Sequence, residues 1–533
     1  MFRSDSRFAL PALPLQYVVV KRLLTIFGYC VALFAAIGSL SWPLGRDQGI
    51  FAWVGEVILG GGLPYRDAWD IKGPLSYYCY ALGLAAFGHN DIAIRILDLT
   101  IMAAGCWFLR ELVLRLTKPS AFGANSAVIF FLLAYYGGGF WNSAQPDAWG
   151  GVLVLVVVAL LCRSERLSLR SMAAIGGLIA FATLLKPTFM AFIALPVMGV
   201  LAFPARRPDA VRSLLACGTG FLCIALASFL ALSVGGNLDD LIDVNRFLAL
   251  SHAGLGKRHI FAESVSLGIP LAKLGLLIPL LLAPVGILSL RLRGMRPQSM
   301  VVAMWLILAI ALVIIQGKYW LYHWIPAVIA AAVTTGLSLD YLTNRFAGRP
   351  AIEYRGAAIT LILFMAVIAP VAVRALFHCY TWPSYALGLQ NKESYWAQFT
   401  TPDGRWKYSD IAKISEFVAS NSAPSDKVLI WGWDPLVYIL AHRRTPTRFG
   451  FSYPLTIPGP LRDEYRSRFL RDIGAAPPTY IIVDARDPWE LPARSGLSLL
   501  NDFPDFNALI HREYAVASSV SSFQIWKLIA PTP

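Results

Sequence analysis

The sequence predicts a mostly α, polytopic membrane protein that ends in a small α/β domain outside the cytoplasm. Three observations predict it. The 533 residues are 57% hydrophobic and 15% charged, with a mean hydropathy of +0.58, whereas a soluble domain is nearer one quarter charged. Basic residues recur in threes at alternate turns between apolar stretches. From residue 379 onward, polar residues, Pro and Gly return and short β-like runs appear. Together these exclude an ordinary cytosolic enzyme, a disordered scaffold and a secreted disulfide module.

A membrane-crossing helix needs about twenty mostly apolar residues. The stretches 18–41, 92–114, 121–137, 147–162, 171–186, 188–203, 213–234, 265–290, 299–316, 322–343 and 357–378 give eleven spans. A further stretch, 74–88, is short and bracketed by Pro74 and Gly88. Charge decides how to read it. Arg110, Arg115 and Lys118 mark one turn; Arg163, Arg166 and Arg170 the next; then Arg206, Arg207 and Arg212; Arg291, Arg293 and Arg296; and Arg345, Arg349 and Arg355. If 74–88 lies along the outer surface, all five groups share a side with Arg3, Arg7, Lys21 and Arg22, as the concentration of Lys and Arg in cytoplasmic loops requires. The expected topology has the N-terminus in the cytoplasm, eleven spans and interfacial helices in the first outer loop. The apolar run of the first span exceeds a signal-peptide core and is read as retained. The expected location is a bacterial cytoplasmic membrane, with the C-terminal domain outside. The net charge of +14 is then a topological signal rather than a nucleic-acid footprint, and membrane lipids, not nucleic acid, are the expected surroundings.

Two domains follow, 1–378 in the membrane and 379–533 outside it. In the second, 427–431, 480–484 and 523–528 read as strands, and 408–420, 460–473 and 505–513 as helices, an alternation that suggests α/β architecture. The seven cysteines form no CxxC motif or Cys/His cluster and read as buried small hydrophobes. No internal repeat is evident.

The outer loops hold the residues with chemistry. In the first, Asp47 stands before an apolar-periodic segment, 48–59, and reads as its N-cap. Gly60, Gly61 and Gly62 follow, then Tyr65, Arg66, Asp67, Asp70 and Lys72 within eight positions. Lys72 at an interface either snorkels to lipid phosphate or holds a specific phosphate. Asp147 opens a span behind Pro146, where an acidic residue also suits the helix dipole. Lys186-Pro187 interrupts an apolar hairpin on the outer side, where no topological rule calls for a lysine. Lys318, Tyr319, Trp320, Tyr322, His323 and Trp324 form another outer cluster, and its aromatics alone would suit an interfacial belt. The loop 235–264 carries Asp239, Asp240, Asp243, Arg246, His252, Lys257, Arg258 and His259; it reads equally as a headgroup site and as a solvated turn. Arg95 and Asp98 are spaced to pair along one helix. Asp47, Asp147 and His323 would meet a divalent cation only if the fold gathers them.

At these residues the chain resembles the GT-C glycosyltransferases, in particular the branch of the protein O-mannosyltransferases and the lipid A aminoarabinose transferase. The resemblance rests on Asp47 after the first span, Gly62-Leu63-Pro64-Tyr65, Asp70-Ile71-Lys72-Gly73-Pro74-Leu75, Asp147, Lys186-Pro187 and the segment from Lys318 to His323. It is clearest over 40–190 and extends to 330, and the segment from Val428 to Pro446 also looks like the outer domains of such enzymes. Two departures stand out: the frequent Asp-Glu pair is Asp47-Gln48, and the Lys-Pro-Pro signature is Lys72-Gly73-Pro74. The resemblance implies an inverting transfer from a polyprenyl-phosphate-sugar donor to a lipid, glycan or protein acceptor on the outer face. It implies Asp47 as general base, with Asp147 in support. Lys72, Lys186, Lys318 and His323 would hold the donor phosphate, and Tyr65, Arg66, Asp70, Tyr319, Tyr322, Lys257 and Arg258 would line the substrate site. No cofactor is required beyond a possible divalent cation.

Independent chemistry agrees with this. A sugar hydroxyl is a poor nucleophile that a carboxylate activates by taking its proton, and cations beside a phosphate leaving group lower the barrier. The alternatives are a transporter or flippase of a lipid-linked saccharide, which would place ionisable groups near the membrane midplane and often in paired repeats, and a scaffold whose outer domain binds a partner.

Overall fold

A computed structural model of the protein describes residues 15–117, 121–252, 268, 271–347, 353–401, 404, 406–486, 489–490 and 493–529. Lys257, Arg258 and His259 lie outside the described residues.

Each of the eleven predicted spans meets an apolar helix. Six segments are long and apolar enough to cross a membrane by length and composition: Tyr17–Ser41, Asp91–Thr117, Pro204–Gly235, Arg296–Gln316, Leu321–Phe346 and Gly356–Ala386. Five are shorter: Ala121–Tyr136, Pro146–Leu161, Leu169–Leu185, Pro187–Ala202 and Leu277–Leu292. Two differ from expectation. The stretch read as 188–203 begins as a 3-10 turn, Pro187–Ile193, and becomes α-helical at Ala194–Ala202. The stretch read as 265–290 is helical over Leu277–Leu292, because Gly275 just before it sits at φ 60°, a left-handed conformation that breaks the ladder. Much of the bundle surface is bare hydrocarbon: on the Ala210–Gly235 helix Val211 is 71% and Leu215 65% exposed. Water does not tolerate so broad an apolar face; lipid does.

The Pro74–Phe87 helix has 14 residues, about 21 Å at 1.5 Å per residue against a hydrocarbon core of about 30 Å. It lies instead along the Arg46–Leu59 helix. The approach is tight enough that a Cβ on Gly55 would stand 2.9 Å from the Ala81 nitrogen.

Two expectations need correction. All seven cysteines are free, but Cys30 and Cys223 are exposed and Cys79 and Cys106 half-buried; the exposed pair sits on apolar helices, where an exposed face needs no polarity. Arg95 and Asp98 form no ion pair with each other among the described residues. Arg95 donates to the carbonyls of Trp42 (3.2 Å), Pro43 and Phe140 (3.2 Å) and to Ser143 Oγ (2.6 Å). Asp98 accepts from Tyr135 (2.8 and 2.9 Å) and Trp149 (2.9 Å).

Beyond the bundle stands a four-stranded sheet of β1 (Val428–Trp431), β2 (Tyr480–Asp484), β3 (Tyr514–Val520) and β4 (Phe523–Leu528). β1 pairs parallel to β2, β2 antiparallel to β4, and β4 antiparallel to β3. Helices Tyr408–Asn421, Arg462–Ala475 and Pro504–Glu513 match the expected segments. This α/β region is tied to the bundle by polar contacts. Tyr408 donates to Asp91, the Trp69 amide donates to the Arg448 carbonyl at 2.8 Å, and Arg448 pairs with Asp240 (2.5 Å) and Asp243 (2.7 Å).

Candidate active site

The site is assembled from four helix ends and loops. The first is the start of the Arg46–Leu59 helix. Asp47 is not its N-cap, contrary to expectation. Gly45 is the cap, and its amide donates to Gln48 Oε1 at 2.5 Å, the one half of a capping box that a glycine cap allows. Gln48 is fully buried, and its Nε2 donates to the carbonyls of Phe140 (2.9 Å), Trp141 (3.3 Å) and Ser143. A carboxylate at position 48 would face three carbonyl oxygens without a proton to give, which accounts for an amide at this position. Asp47 is thereby released from capping. It sits in the first turn, at the positive end of the helix dipole, and its Oδ2 accepts from the Tyr322 hydroxyl at 3.2 Å.

The second is the loop after that helix. Tyr65 is fully buried and donates to the Lys72 carbonyl at 2.8 Å. Tyr77 accepts from the Lys72 amide at 2.9 Å and donates to Asp70 Oδ2 at 2.8 Å. Two tyrosines therefore clamp the Lys72 backbone, and its ammonium is turned over the rings of Phe51 (5.7 Å) and Tyr322 (5.8 Å) rather than snorkelling away. Burial pushes the Asp70 carboxyl up to about 6, although the Lys72 charge opposes the rise. Arg66 is drawn elsewhere: it pairs with Asp67 at 2.8 Å and its side chain is 41% exposed.

The third part joins two helix ends. Asp147 lies in the first turn of Pro146–Leu161 and is buried. Lys186 caps the end of Leu169–Leu185, and its Nζ donates to Asp147 Oδ1 at 2.7 Å. Gly73 presses on that same end: a Cβ on it would stand 2.1 Å from the Leu184 carbonyl oxygen. Its φ of −67° and ψ of 149° are values proline also adopts, so the departure from Lys-Pro-Pro reflects space rather than a different turn.

The fourth follows Arg296–Gln316. Gly317 (φ 64°) ends that helix and Tyr319 (φ 51°) turns the chain into the 3-10 turn Leu321–Trp324. Lys318 Nζ meets His252 Nε2. The rings of Tyr322 and His323 meet edge to face, with centroids 4.7 Å apart.

These parts share one electrostatic neighbourhood. Lys186 feels Asp147, Lys72 and Asp47; His323 feels Lys186, Lys72 and Lys318; His252 feels Lys318 and Lys72; Asp70 feels Lys72 and Asp47. The fold thus gathers Asp47, Asp70, Lys72, Asp147, Lys186, Lys318, Tyr322 and His323, and leaves Arg66 outside. Asp147 Oδ2, His323 Nδ1 and the Tyr319 hydroxyl are buried without a partner among the described residues. Buried polar atoms are normally paired, so three orphans beside three lysines mark a place built for a polar ligand. The charges suit an anion beside a carboxylate. They suit a divalent cation less well, since Lys186 occupies one oxygen of Asp147 and no group of three or more His, Cys, Asp or Glu that could hold an ion occurs among the described residues.

Sequence reasoning did not assign Gln48, Tyr77, His252 or Tyr453 to the site. Gln48 carried a signal, three residues after a glycine that can cap. Tyr453 carried none, since its partner His252 is 201 positions away.

No protein-family model and no curated protein matches the sequence. Solved structures do match. The structure of ArnT from Cupriavidus metallidurans bound to undecaprenyl phosphate aligns with a TM-score of 0.59 at 14% identity, covering 95% of this chain and 98% of that one. Apo ArnT from the same organism aligns at 0.55 and 15% identity, with the same coverage. This protein has the GT-C fold. The GT-C likeness runs nearly end to end in both chains, so it takes in the first outer loop and the C-terminal α/β region together. An oligosaccharyltransferase from Archaeoglobus fulgidus is more distant, with a TM-score of 0.47 at 15% identity over 94% of this chain and 74% of that one.

Proposed function

We propose that the protein is an inverting glycosyltransferase. It would move a sugar from a polyprenyl-phosphate donor to a hydroxyl on a lipid, glycan or protein acceptor, at the outer face of a bacterial cytoplasmic membrane. The observation that carries this reading is the gathering of half-buried Asp47 and buried Asp147 with three half-buried lysines at the ends of lipid-facing helices. The similar ArnT binds undecaprenyl phosphate, and a lipid phosphate of that kind suits this arrangement: a prenyl tail stays in hydrocarbon while the phosphate and sugar meet the lysines.

In this reading Lys72 and Lys318 face the donor phosphate and take up the charge that grows as the glycosidic C–O bond breaks. Asp47 accepts the proton of the acceptor hydroxyl as the new C–O bond forms at the opposite face of the anomeric carbon. Asp47 suits that role because its hydrogen bond comes from a neutral phenol, whereas Asp147 is engaged by Lys186 at 2.7 Å. Asp147 and Lys186 together form a dipolar pair that orients donor and acceptor, and holding the two in line supplies much of the rate. His323, with its unpartnered Nδ1, contributes a neutral contact to the donor head. Tyr65 acts through Lys72, whose backbone it holds. The α/β region is read as extracytoplasmic.

The test is mass spectrometry of surface lipids, glycans and glycoproteins from cells with and without the chain, repeated with Asp47→Asn. A sugar addition that disappears without the chain and with Asp47→Asn, at normal protein level, supports the reading. A product that persists with Asp47→Asn discards the base assignment.

A further inference from the structure

We propose that His252 and Tyr453 form a relay through which the C-terminal α/β region aims the Lys318 ammonium at the donor phosphate. The proposal rests on the reading of the lysine cluster as a phosphate site and names what sets one of its cations.

The hydrogen bonds run in line. Lys318 Nζ meets His252 Nε2, and His252 Nδ1 meets the Tyr453 hydroxyl. Burial first, and then the charges of Lys318 and Lys72, push the imidazole down to about 3. A neutral ring has one lone pair and one N–H. With the lone pair accepting from the ammonium, the N–H lies on Nδ1 and donates to the Tyr453 oxygen.

The choice of histidine has a physical reason. A carboxylate in its place would orient Lys318 and also cancel its charge, as Asp147 does for Lys186. A neutral imidazole orients the ammonium and brings no negative charge of its own to compete with an anionic donor. Gly317 and Tyr319 on either side of Lys318 both sit at positive φ, so Lys318 lies in a turn and its direction is set by side-chain contacts such as that to His252.

The far end of the relay is held by the α/β region. His252 closes the π-helical turn Leu248–His252 after the Leu238–Phe247 helix. That helix is gripped by Arg448 through Asp240 and Asp243 and by the Tyr465 hydroxyl on Asp243 at 3.0 Å. Phe247 packs against Trp69, Tyr453 and Tyr465, with centroids 4.9, 5.8 and 5.9 Å away. The α/β region therefore completes the site rather than merely covering it.

The experiment measures undecaprenyl phosphate binding to the full-length protein in lipid nanodiscs, with thermal unfolding recorded alongside. His252→Leu is expected to weaken binding about tenfold, the scale of one hydrogen bond to a charged group, with little change in unfolding temperature. His252→Gln keeps an acceptor for Lys318 and should recover most of the affinity, while Tyr453→Phe should cost about threefold by the same scale. In a Lys318→Met background, His252→Leu should add nothing, since coupled residues do not act additively. Unchanged affinity in His252→Leu, or an equal loss with and without Lys318, overturns the relay. If Lys72→Met and Lys186→Met also leave affinity unchanged, the phosphate-site reading fails with it. If Lys72→Met weakens binding and His252→Leu does not, the relay alone is lost.

Discussion

A buried polar cluster and a half-buried one lie close together in this protein, and they differ in completeness. Around Arg95 and Asp98, three carbonyls and one hydroxyl accept from the guanidinium, and a phenol and an indole donate to the carboxylate. Around Asp47 and Lys72, Asp147 Oδ2, His323 Nδ1 and the Tyr319 hydroxyl have no partner among the described residues, and Lys72 meets aromatic faces instead of an anion. Both use charges that would be costly to bury alone. The first is closed on itself and fixes the packing of helices. The second is open, and an open polar cluster inside a protein is a request for a ligand. Composition does not separate the two; the fate of each donor and acceptor does.

That contrast can be broken by substitution. The largest effect should follow Asp47→Asn, which removes a proton acceptor from the open cluster: sugar transfer falls by about 10²–10⁴-fold, with the unfolding temperature in detergent unchanged. Asp98→Ala should do the reverse. It leaves the Tyr135 O–H and the Trp149 N–H buried without an acceptor, a loss of roughly 2–5 kcal/mol of stability, visible as earlier unfolding with or without donor. Equal effects of the two substitutions on stability and transfer would erase the distinction.

Asp70 sharpens it through pH. Its folded pKa of about 6 lies above the unfolded value of about 3.9. Below both values the group is protonated in either state and costs nothing. As pH rises through that window the unfolded chain releases its proton first, so Asp70 withdraws stability, on the order of 2–3 kcal/mol in total. Asp70→Asn keeps an acceptor for Tyr77 and removes the titration. Its unfolding temperature should gain on the wild type between pH 4 and pH 7. A constant difference across that range refutes the assignment. Lys72→Met, like Asp47→Asn, should leave the unfolding temperature nearly unchanged while lowering affinity for undecaprenyl phosphate by about 10–100-fold.

Much of this was legible in the sequence because membranes impose a coarse code. Apolar length marked the helices, and lysines at outer turns such as Lys72 and Lys186 stood out because topology gave them no reason to be there. Three of the four strands of the main sheet carried β-branched or aromatic runs. β3 carried less: in the edge strand Tyr514–Val520, Tyr514, Val516 and Val520 are diluted by Ala and Ser and much of the surface is exposed, so no inside–outside alternation betrayed it. Asp47 was read as a cap because aspartate before an apolar segment is a common capping signal, yet Gly45 with Gln48 satisfied the same helix end and left the aspartate available. Arg66 was grouped with its neighbours by spacing, and Asp67 beside it decided otherwise. The relay through His252 was invisible, since its ends meet through tertiary packing alone.

Gly73 has a last implication. Because the space its side chain would need is filled by the Leu184 carbonyl, the loop that carries Lys72 and the helix end that carries Lys186 are seated against each other with no slack. The backbones that carry the two cations cannot shift independently. Placing a proline there would wedge the pair apart even though the backbone angles welcome it, so Gly73→Pro alone is not accommodated. A larger residue is admitted there only if the loop and the neighbouring helix change together.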